Sequence, residues 1–192
     1  NVKNSFRKGV EIESSYILNN KLSISGNLTI SENKLDTLIQ YVDNWDTGGQ
    51  NQVVYENTDL AFSPNLTWAA KINYKYNKNT NFLLNTKYVG DQYIDNTSSE
   101  KRMLDSYMIS NFQIDYHFKS SIFTKAKISF LVNNLFDTKY VNNAWIYRYI
   151  SENSDPREYD DYTTQGDGNI YDMAGYFPQA TRNYLLGLTL GF

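Results

Sequence analysis

The sequence has no cysteine, only three prolines and no long apolar run among its 192 residues. Without cysteine, a disulfide framework and a cysteine-based metal site are excluded. Without about 18 consecutive apolar residues, a transmembrane helix is excluded as well. A net charge of only −3 leaves no basic footprint for nucleic acid, so we expect no nucleic-acid partner.

The start of the chain lacks an initiator Met and a secretory signal. Asn1 replaces the usual Met, and no basic stretch with an apolar run and a small-residue cleavage site follows it. We interpret Asn1 as a cut into a longer protein, although a processed mature N-terminus would give the same pattern.

Aromatic residues are abundant, with 17 Tyr and 10 Phe, and this composition favours β-strands. Apolar and polar residues alternate with period two, which is typical of strands that have one apolar face. Charge is confined to the polar set, and charge on a lipid face is costly. The pattern predicts seven strands, at residues 10–18, 22–30, 62–76, 82–88, 108–118, 128–132 and 184–192. The mean hydropathy of −0.58 is compatible with a membrane barrel, because only alternate residues of each strand face lipid.

The connections between the predicted strands alternate in length. Residues 19–20, 77–80 and 119–124 are short turns, whereas residues 36–58, 96–104 and 141–178 are longer loops. Short turns on one side and long loops on the other are typical of outer-membrane barrels, whose short turns lie in the periplasm. Seven strands cannot close a bacterial barrel, and an open sheet edge is not tolerated in lipid. We therefore expect further strands before Asn1 and place Phe192 at the periplasmic rim.

Three stretches carry a family resemblance. Residues 133–140 read NNLFDTKY, residues 176–184 read YFPQATRNY before an ending in Gly191-Phe192, and residues 5–11 read SFRKGVE. Together they resemble the C-terminal part of the barrel of TonB-dependent outer-membrane receptors, of the siderophore type more than the glycan-importer type. In residues 133–140 we expect Asn and Asp side chains to bond local backbone where a strand bends.

The resemblance implies an all-β fold: an antiparallel transmembrane β-barrel segment, the C-terminal part of a larger barrel of about 22 strands. Residues 1–192 would then be one portion of a single outer-membrane barrel domain, with the plug domain absent from this chain. The implied function is TonB-dependent uptake of a scarce nutrient: an iron-siderophore, haem, cobalamin or a glycan. The implied partners are outer-membrane lipid, the barrel-assembly machinery, the small-molecule or glycan ligand, and the TonB complex through the absent plug.

The loop at residues 141–178 is the candidate ligand site. Trp145, Tyr147, Arg148 and Tyr149 are residue types that bind planar or charged ligands with little loss of entropy. An alternative interpretation is that residues 145–149 extend a strand above the membrane and pack there.

The last strand is a candidate assembly signal. Phe192 is an aromatic C-terminal residue, and Tyr184, Leu186, Leu188 and Leu190 precede it at alternate positions. This pattern resembles the signal read by the barrel-assembly machinery, and Phe192 also suits a lipid-facing aromatic girdle.

The remaining polar residues suggest no chemistry. One group of loop residues is rich in side-chain oxygen: Asp155, Glu158, Asp160, Asp161, Asp167 and Asn169. We interpret it as a solvated acidic loop rather than as a calcium site. His117 is the only histidine, and Gly48-Gly49 lacks a phosphate-binding context. We predict no enzyme, metal or cofactor. The alternatives are a passive porin-like barrel and a soluble all-β carbohydrate-binding module.

Overall fold

The computed structural model describes residues 4–192, so Asn1, which we interpreted as a cut into a longer protein, lies outside the described residues. The regular structure of these residues is all β-strand apart from short 3-10 turns at Glu100–Arg102 and Pro156–Glu158. The strands are β1 (Ser5–Ile17), β2 (Leu22–Asn44), β3 (Gly49–Asp59), β4 (Leu66–Lys75), β5 (Thr80–Val89), β6 (Gln92–Tyr93), β7 (Met103–Leu104), β8 (Tyr107–His117), β9 (Lys125–Asn133), β10 (Val141–Ile150), β11 (Thr163–Gln165), β12 (Ile170–Pro178) and β13 (Asn183–Gly191).

Seven of these strands form one curled antiparallel wall, in the order β1-β2-β4-β5-β8-β9-β13. They are the seven strands that the alternation predicted, so the predicted fold class is confirmed. The short turns between them are closed by side chains. Asn19 and Asn77 each accept two backbone N–H groups through Oδ1, and Ser120 does the same through Oγ. Such local bonds explain how these connections stay short.

Strand register sorts the side chains of the wall into two faces. One lateral row is apolar throughout and joins Tyr16, Ile24, Ile72, Leu84, Phe112, Val132 and Tyr184. A neighbouring row on the opposite face is polar and joins Ser15, Ser25, Lys71, Asn85 and Asn111. Because a slip of one residue would move a whole set to the other face, this register makes one face apolar and the other polar. No helix within residues 4–192 is long and apolar enough to cross a bilayer.

The predicted start of the third wall strand was wrong. The alternation placed a strand at residues 62–76, but β4 begins at Leu66. Phe62 has a left-handed φ of 50°, and its N–H donates to the carbonyl of Tyr93 instead of continuing a ladder. Pro64 offers no N–H to a neighbouring strand, so the chain between β3 and β4 bends out of the sheet.

Two of the long loops are β-hairpins. β2 continues well past the wall and pairs with β3 around Gly48, which has a φ of 71°. β10 pairs with β12, and its end at Tyr149 and Ile150 forms a short parallel pairing with Asp43 and Asn44. Two clusters of buried apolar side chains involve these hairpins. One cluster contains Val42, Ile150 and Ile170, and a second contains Ile94, Leu104 and Ala144.

Residues 133–140 connect the wall to this upper layer. Asn134 is 3% exposed and has a φ of 50°; its amide binds the backbone of Thr138 and the carbonyl of Ala180. Asp137 accepts the backbone N–H of Arg182 at 2.8 Å. The local backbone bonding expected for these Asn and Asp side chains is therefore present, and it ties residues 133–140 to residues 176–184.

Candidate ligand-binding site

Three segments above the wall pack into one layer, which we call the cap: residues 36–58, residues 90–106 and residues 141–178. The parallel pairing of β10 with β2 joins the first and third segments. The cluster of Ile94, Leu104 and Ala144 joins the second and third. Since segments distant in sequence share buried residues, the cap is one packed body rather than three independent loops.

Two buried arginines hold the cap together. Arg102 donates from Nη1 to one oxygen of Asp172 at 2.8 Å, and Arg148 donates from Nε to its other oxygen at 2.9 Å. Both guanidinium groups also reach Asp167, at 3.3 and 3.1 Å. Arg102 is further bound by Asp95 and Thr97. Buried charges are tolerated only when paired in this way.

Arg148 has almost all of its hydrogen-bonding capacity used inside the protein. It is 5% exposed, and its Nη1 donates to Gln40 at 2.6 Å and to the hydroxyl of Tyr55 at 2.8 Å. Burial alone would lower the pKa of the guanidinium, but the hydrogen bonds to Tyr55 and Asp172 outweigh burial and leave the pKa above its ordinary value. Arg148 therefore stays charged and links the third cap segment to the β2–β3 hairpin.

Aromatic rings form a column at the end of the β10–β12 hairpin. Trp45 stacks on Tyr149 with ring centroids 3.9 Å apart. Tyr149 also lies against Tyr147 at 5.5 Å and Tyr171 at 6.0 Å. Tyr149 has no exposed surface, and burial raises the pKa of its hydroxyl. It is the packed centre of the column, while Trp45 is half exposed at its edge.

A carboxylate lies beside this column. The Tyr147 hydroxyl donates to Asp43 Oδ2 at 2.7 Å and accepts from Trp45 Nε1 at 3.2 Å. Gln50 donates to Asp43 Oδ1 at 2.8 Å. The hydrogen bond from Gln50, followed by that from Tyr147, holds the pKa of Asp43 below its usual value, so the carboxylate is charged at neutral pH. Among residues 4–192 no basic side chain forms an ion pair with Asp43.

The cap contains an open cavity of about 610 Å³ between β10, the β2–β3 hairpin and the segments around Phe62 and Asn96. Three of the four predicted ligand residues line it: Trp145, Tyr147 and Arg148. Trp145 is 47% exposed, and its indole lies against Gly175 on β12, where a Cβ would collide with the ring. The volume is within the range of small-molecule sites in proteins, about 300–1,000 Å³.

The four predicted ligand residues thus divide into two groups. Trp145 and Tyr147 offer ring surface to the cavity, whereas Arg148 is bonded to protein groups and Tyr149 is packed beneath Trp45. Sequence reasoning missed Asp43 and Tyr41, which line the same cavity. Residues 36–58 were predicted as a loop, so nothing in the alternation marked their side chains as partners of β10.

Four of the five predicted assembly residues lie on β13, and Phe192 follows its last residue, Gly191. Tyr184, Leu186 and Leu188 project from the apolar face of β13, which pairs with β9. Phe192 is 92% exposed and contacts Phe123 edge to face at 5.2 Å. Their role in assembly stays a prediction.

Three of the acidic residues in the oxygen-rich group of loop residues have protein partners. Asp155 caps a short turn and pairs with Arg157, Asp160 caps Tyr162 and Thr163, and Asp167 binds both buried arginines. No group of His, Asp or Glu within the described part of the chain is arranged to hold a metal ion.

Comparisons with known proteins give likeness in structure only. No protein-family model matches the sequence. No curated protein matches it either. The siderophore receptor PiuA from Acinetobacter baumannii is similar over 91% of this chain, at 17% identity and a TM-score of 0.61. The ferric yersiniabactin uptake receptor FyuA from Yersinia pestis is similar over 96%, at 15% identity and 0.55. The ferric citrate transporter FecA is similar over 96%, at 21% identity and 0.57.

This chain covers 22% of PiuA, 23% of FyuA and 24% of FecA, so it spans about a quarter of each of those proteins. It has the fold of part of their barrels. The resemblance to siderophore-type receptor barrels found in the sequence is therefore confirmed at the level of the fold.

Proposed function

We propose that this chain forms part of the wall and the extracellular cap of a TonB-dependent receptor that imports a scarce nutrient, most simply an iron-siderophore, across the bacterial outer membrane. Residues 1–192 would be the C-terminal portion of one barrel domain. The plug and the segment that contacts the TonB complex would be supplied from outside this chain.

The observation that carries this proposal is the combination of wall and cap. A seven-stranded wall with laterally continuous apolar rows suits a lipid-facing surface. Above it lies a cap that is locked by buried ion pairs and contains an aromatic-lined cavity. A rigid cap lowers the entropy cost of ligand capture, because its side chains are ordered before the ligand arrives.

The same arrangement supports a proposed orientation. The cap would lie outside the cell, and the short turns, with the end of β13 at Phe192, would lie at the periplasmic rim. The residues proposed to contact ligand are Trp145 and Tyr147, with Arg148 and Tyr149 positioning them. The residues proposed as the assembly signal are Tyr184, Leu186, Leu188, Leu190 and Phe192.

Deletion of the gene tests the proposal. The deletion strain should lose energised uptake of at least one ferric chelate, and collapse of the proton-motive force in the parent strain should abolish the same uptake. Uptake that survives collapse of the proton-motive force would rule out an energised receptor. Conductance of the purified protein in a planar bilayer supplies the second test, since a plugged receptor should be nearly closed and a passive pore should be open.

A further inference from the structure

Charge is segregated along the axis of the molecule. The cap, residues 36–58, 90–106 and 141–178, contains 15 of the 21 acidic residues but only 4 of the 18 basic residues. The cap therefore carries a formal charge of −11 (15 acidic against 4 basic), and the rest of the chain carries +8 (6 acidic against 14 basic). The small net charge of the whole chain conceals a strongly acidic cap. A field of one sign raises the local concentration of ligands of the other sign.

Of the four basic residues of the cap, only Arg148 lines the cavity, and its guanidinium is already bound by carboxylates. Arg102 and Arg148 bind the carboxylates of Asp172 and Asp167. Arg157 pairs with Asp155, and Lys101 donates to the carbonyl of Gly166 at 2.9 Å. An anionic chelate in the cavity would have to displace Asp172 or Asp167 from Arg148 to find a cation there. Breaking a buried ion pair is expensive, because the carboxylate left behind keeps its charge.

The cavity contains a carboxylate that has no cationic partner among the described residues. Asp43 lines it and accepts hydrogen bonds only from the neutral groups of Tyr147 and Gln50. The other carboxylate that lines the cavity, Asp95, is already paired with Arg102. Asp43 is therefore the uncompensated charge of the cavity.

Aromatic side chains line the same cavity as this carboxylate. Tyr41, Phe62 and Trp145 line the same cavity, and each is at least two-fifths exposed. Ring faces attract organic cations through their quadrupole, and Trp does so most strongly. A charged carboxylate beside open ring faces is a site for a cationic group attached to an apolar body.

We propose that the cap cavity selects a cationic ligand, a ferric chelate with a free ammonium group, over neutral and anionic chelates of the same size. The ammonium group would bind Asp43 while the body of the chelate packs against Tyr41, Phe62 and Trp145. This inference rests on the proposed receptor function and adds the charge class of its cargo.

The test uses the complete receptor purified from outer membranes and three probes that share one ferric trihydroxamate core. Ferrioxamine B carries a free ammonium group, its N-acetyl derivative is neutral, and its N-succinyl derivative is anionic. Binding is measured by quenching of tryptophan fluorescence and by calorimetry at low ionic strength. The ammonium form should bind about 3 to 10 times more tightly than the N-acetyl form, the size expected for one partly exposed ion pair.

Two variants with the same chemical change separate a local site from a diffuse field. Asp43→Asn should reduce the preference for the ammonium form to less than twofold. Asp161→Asn, an exposed residue of the cap that does not line the cavity, should leave the preference intact. An equal effect of both variants, equal affinity for all three probes, tighter binding of the anionic form, or no saturable binding of the ammonium form would each overturn the proposal.

Failure of this inference is distinguishable from failure of the proposed function. Energised uptake of a ferric chelate without any charge preference would leave the receptor function standing and remove the charge selectivity. A charge preference that depends on Asp43, without energised uptake in cells, would establish the site and remove the receptor function.

Discussion

Arg102 and Arg148 lie in different segments of the cap and bind opposite oxygens of one carboxylate, that of Asp172, at 2.8 and 2.9 Å. Asp172 is buried, and Asp167 is a second carboxylate that both guanidinium groups reach. Asp172 thus joins two segments of the cap through one buried carboxylate.

Replacement of that carboxylate should open the cap. Asp172→Asn removes the charge that two buried cations share, and loss of one partner of a buried ion pair costs about 3–5 kcal/mol. Amide hydrogen exchange should increase in residues 90–106 and 141–178 while the strands of the wall stay protected. Asp161→Asn, which changes an exposed carboxylate, should leave exchange unchanged. Uniform protection of the cap in Asp172→Asn would show that its apolar clusters suffice.

Asn134 should be more important for stability than its place in a connecting segment suggests. Asn134→Ala removes the amide that binds Thr138 and Ala180, and it puts alanine at a φ of 50°. Lost bonds at a buried polar site cost about 1–3 kcal/mol, and the left-handed backbone adds to that cost. The free energy of unfolding in detergent should fall by this amount. The decrease in the free energy of unfolding should be smaller for Asn134→Gly, because glycine adopts a left-handed backbone without strain. The control Asn27→Ala, at an exposed residue, should not change the free energy of unfolding measurably.

The C-terminal residue should affect assembly more than stability. Phe192 is almost fully exposed in the structure, so Phe192→Ala loses little packing beyond its contact with Phe123. If Phe192 is part of the assembly signal, the folded receptor recovered from outer membranes should decrease several-fold, with the melting temperature of the folded fraction unchanged. Leu185→Ala, on the opposite face of β13, is the matched control. Equal yields for both variants would assign Phe192 to the lipid-facing girdle alone.

The pH dependence of cation binding should follow Asp43. Hydrogen bonds from Gln50 and Tyr147 place the pKa of Asp43 below its ordinary value of 3.8. A carboxyl group with a lowered pKa stays charged down to its folded pKa, and its contribution is lost only as the pH falls through that value. Affinity for ferrioxamine B attributable to Asp43 should therefore be constant between pH 7 and about pH 5 and decrease below about pH 4. A decrease between pH 7 and pH 5 that is absent from Asp43→Asn would contradict this assignment.

Most of the wall could be predicted from the sequence, because one face of each strand is apolar. Alternation from Tyr16 to Tyr184 marks seven strands, and the register found in the structure places those apolar positions in continuous lateral rows. The prediction was wrong at Phe62, because an aromatic residue that fits the alternation lies in a bend with a left-handed backbone. Alternation reports which face a residue would occupy and contains no information on whether the chain stays extended.

The cap could not be predicted, because its strands do not follow the period-two alternation that marked the wall. β3, β10 and β12 pair with other strands of the cap, and both faces of β3 and β10 mix apolar and polar residues. Arg148 was predicted from its residue type as a ligand contact, and the sequence could not show that Asp172, Gln40 and Tyr55 surround it.

The sequence alone determined the fold class, the number of wall strands, the sorting of short turns and long loops, and the resemblance to siderophore-type receptors. These features depend on residues close together in the chain, where a period of two and turn-forming side chains act locally. Tertiary structure alone decided which loop residues form a cavity, which arginines are already paired and which carboxylate remains uncompensated. Those properties depend on contacts such as Tyr147 to Asp43, 104 residues apart in the chain, and they arise only when the cap packs.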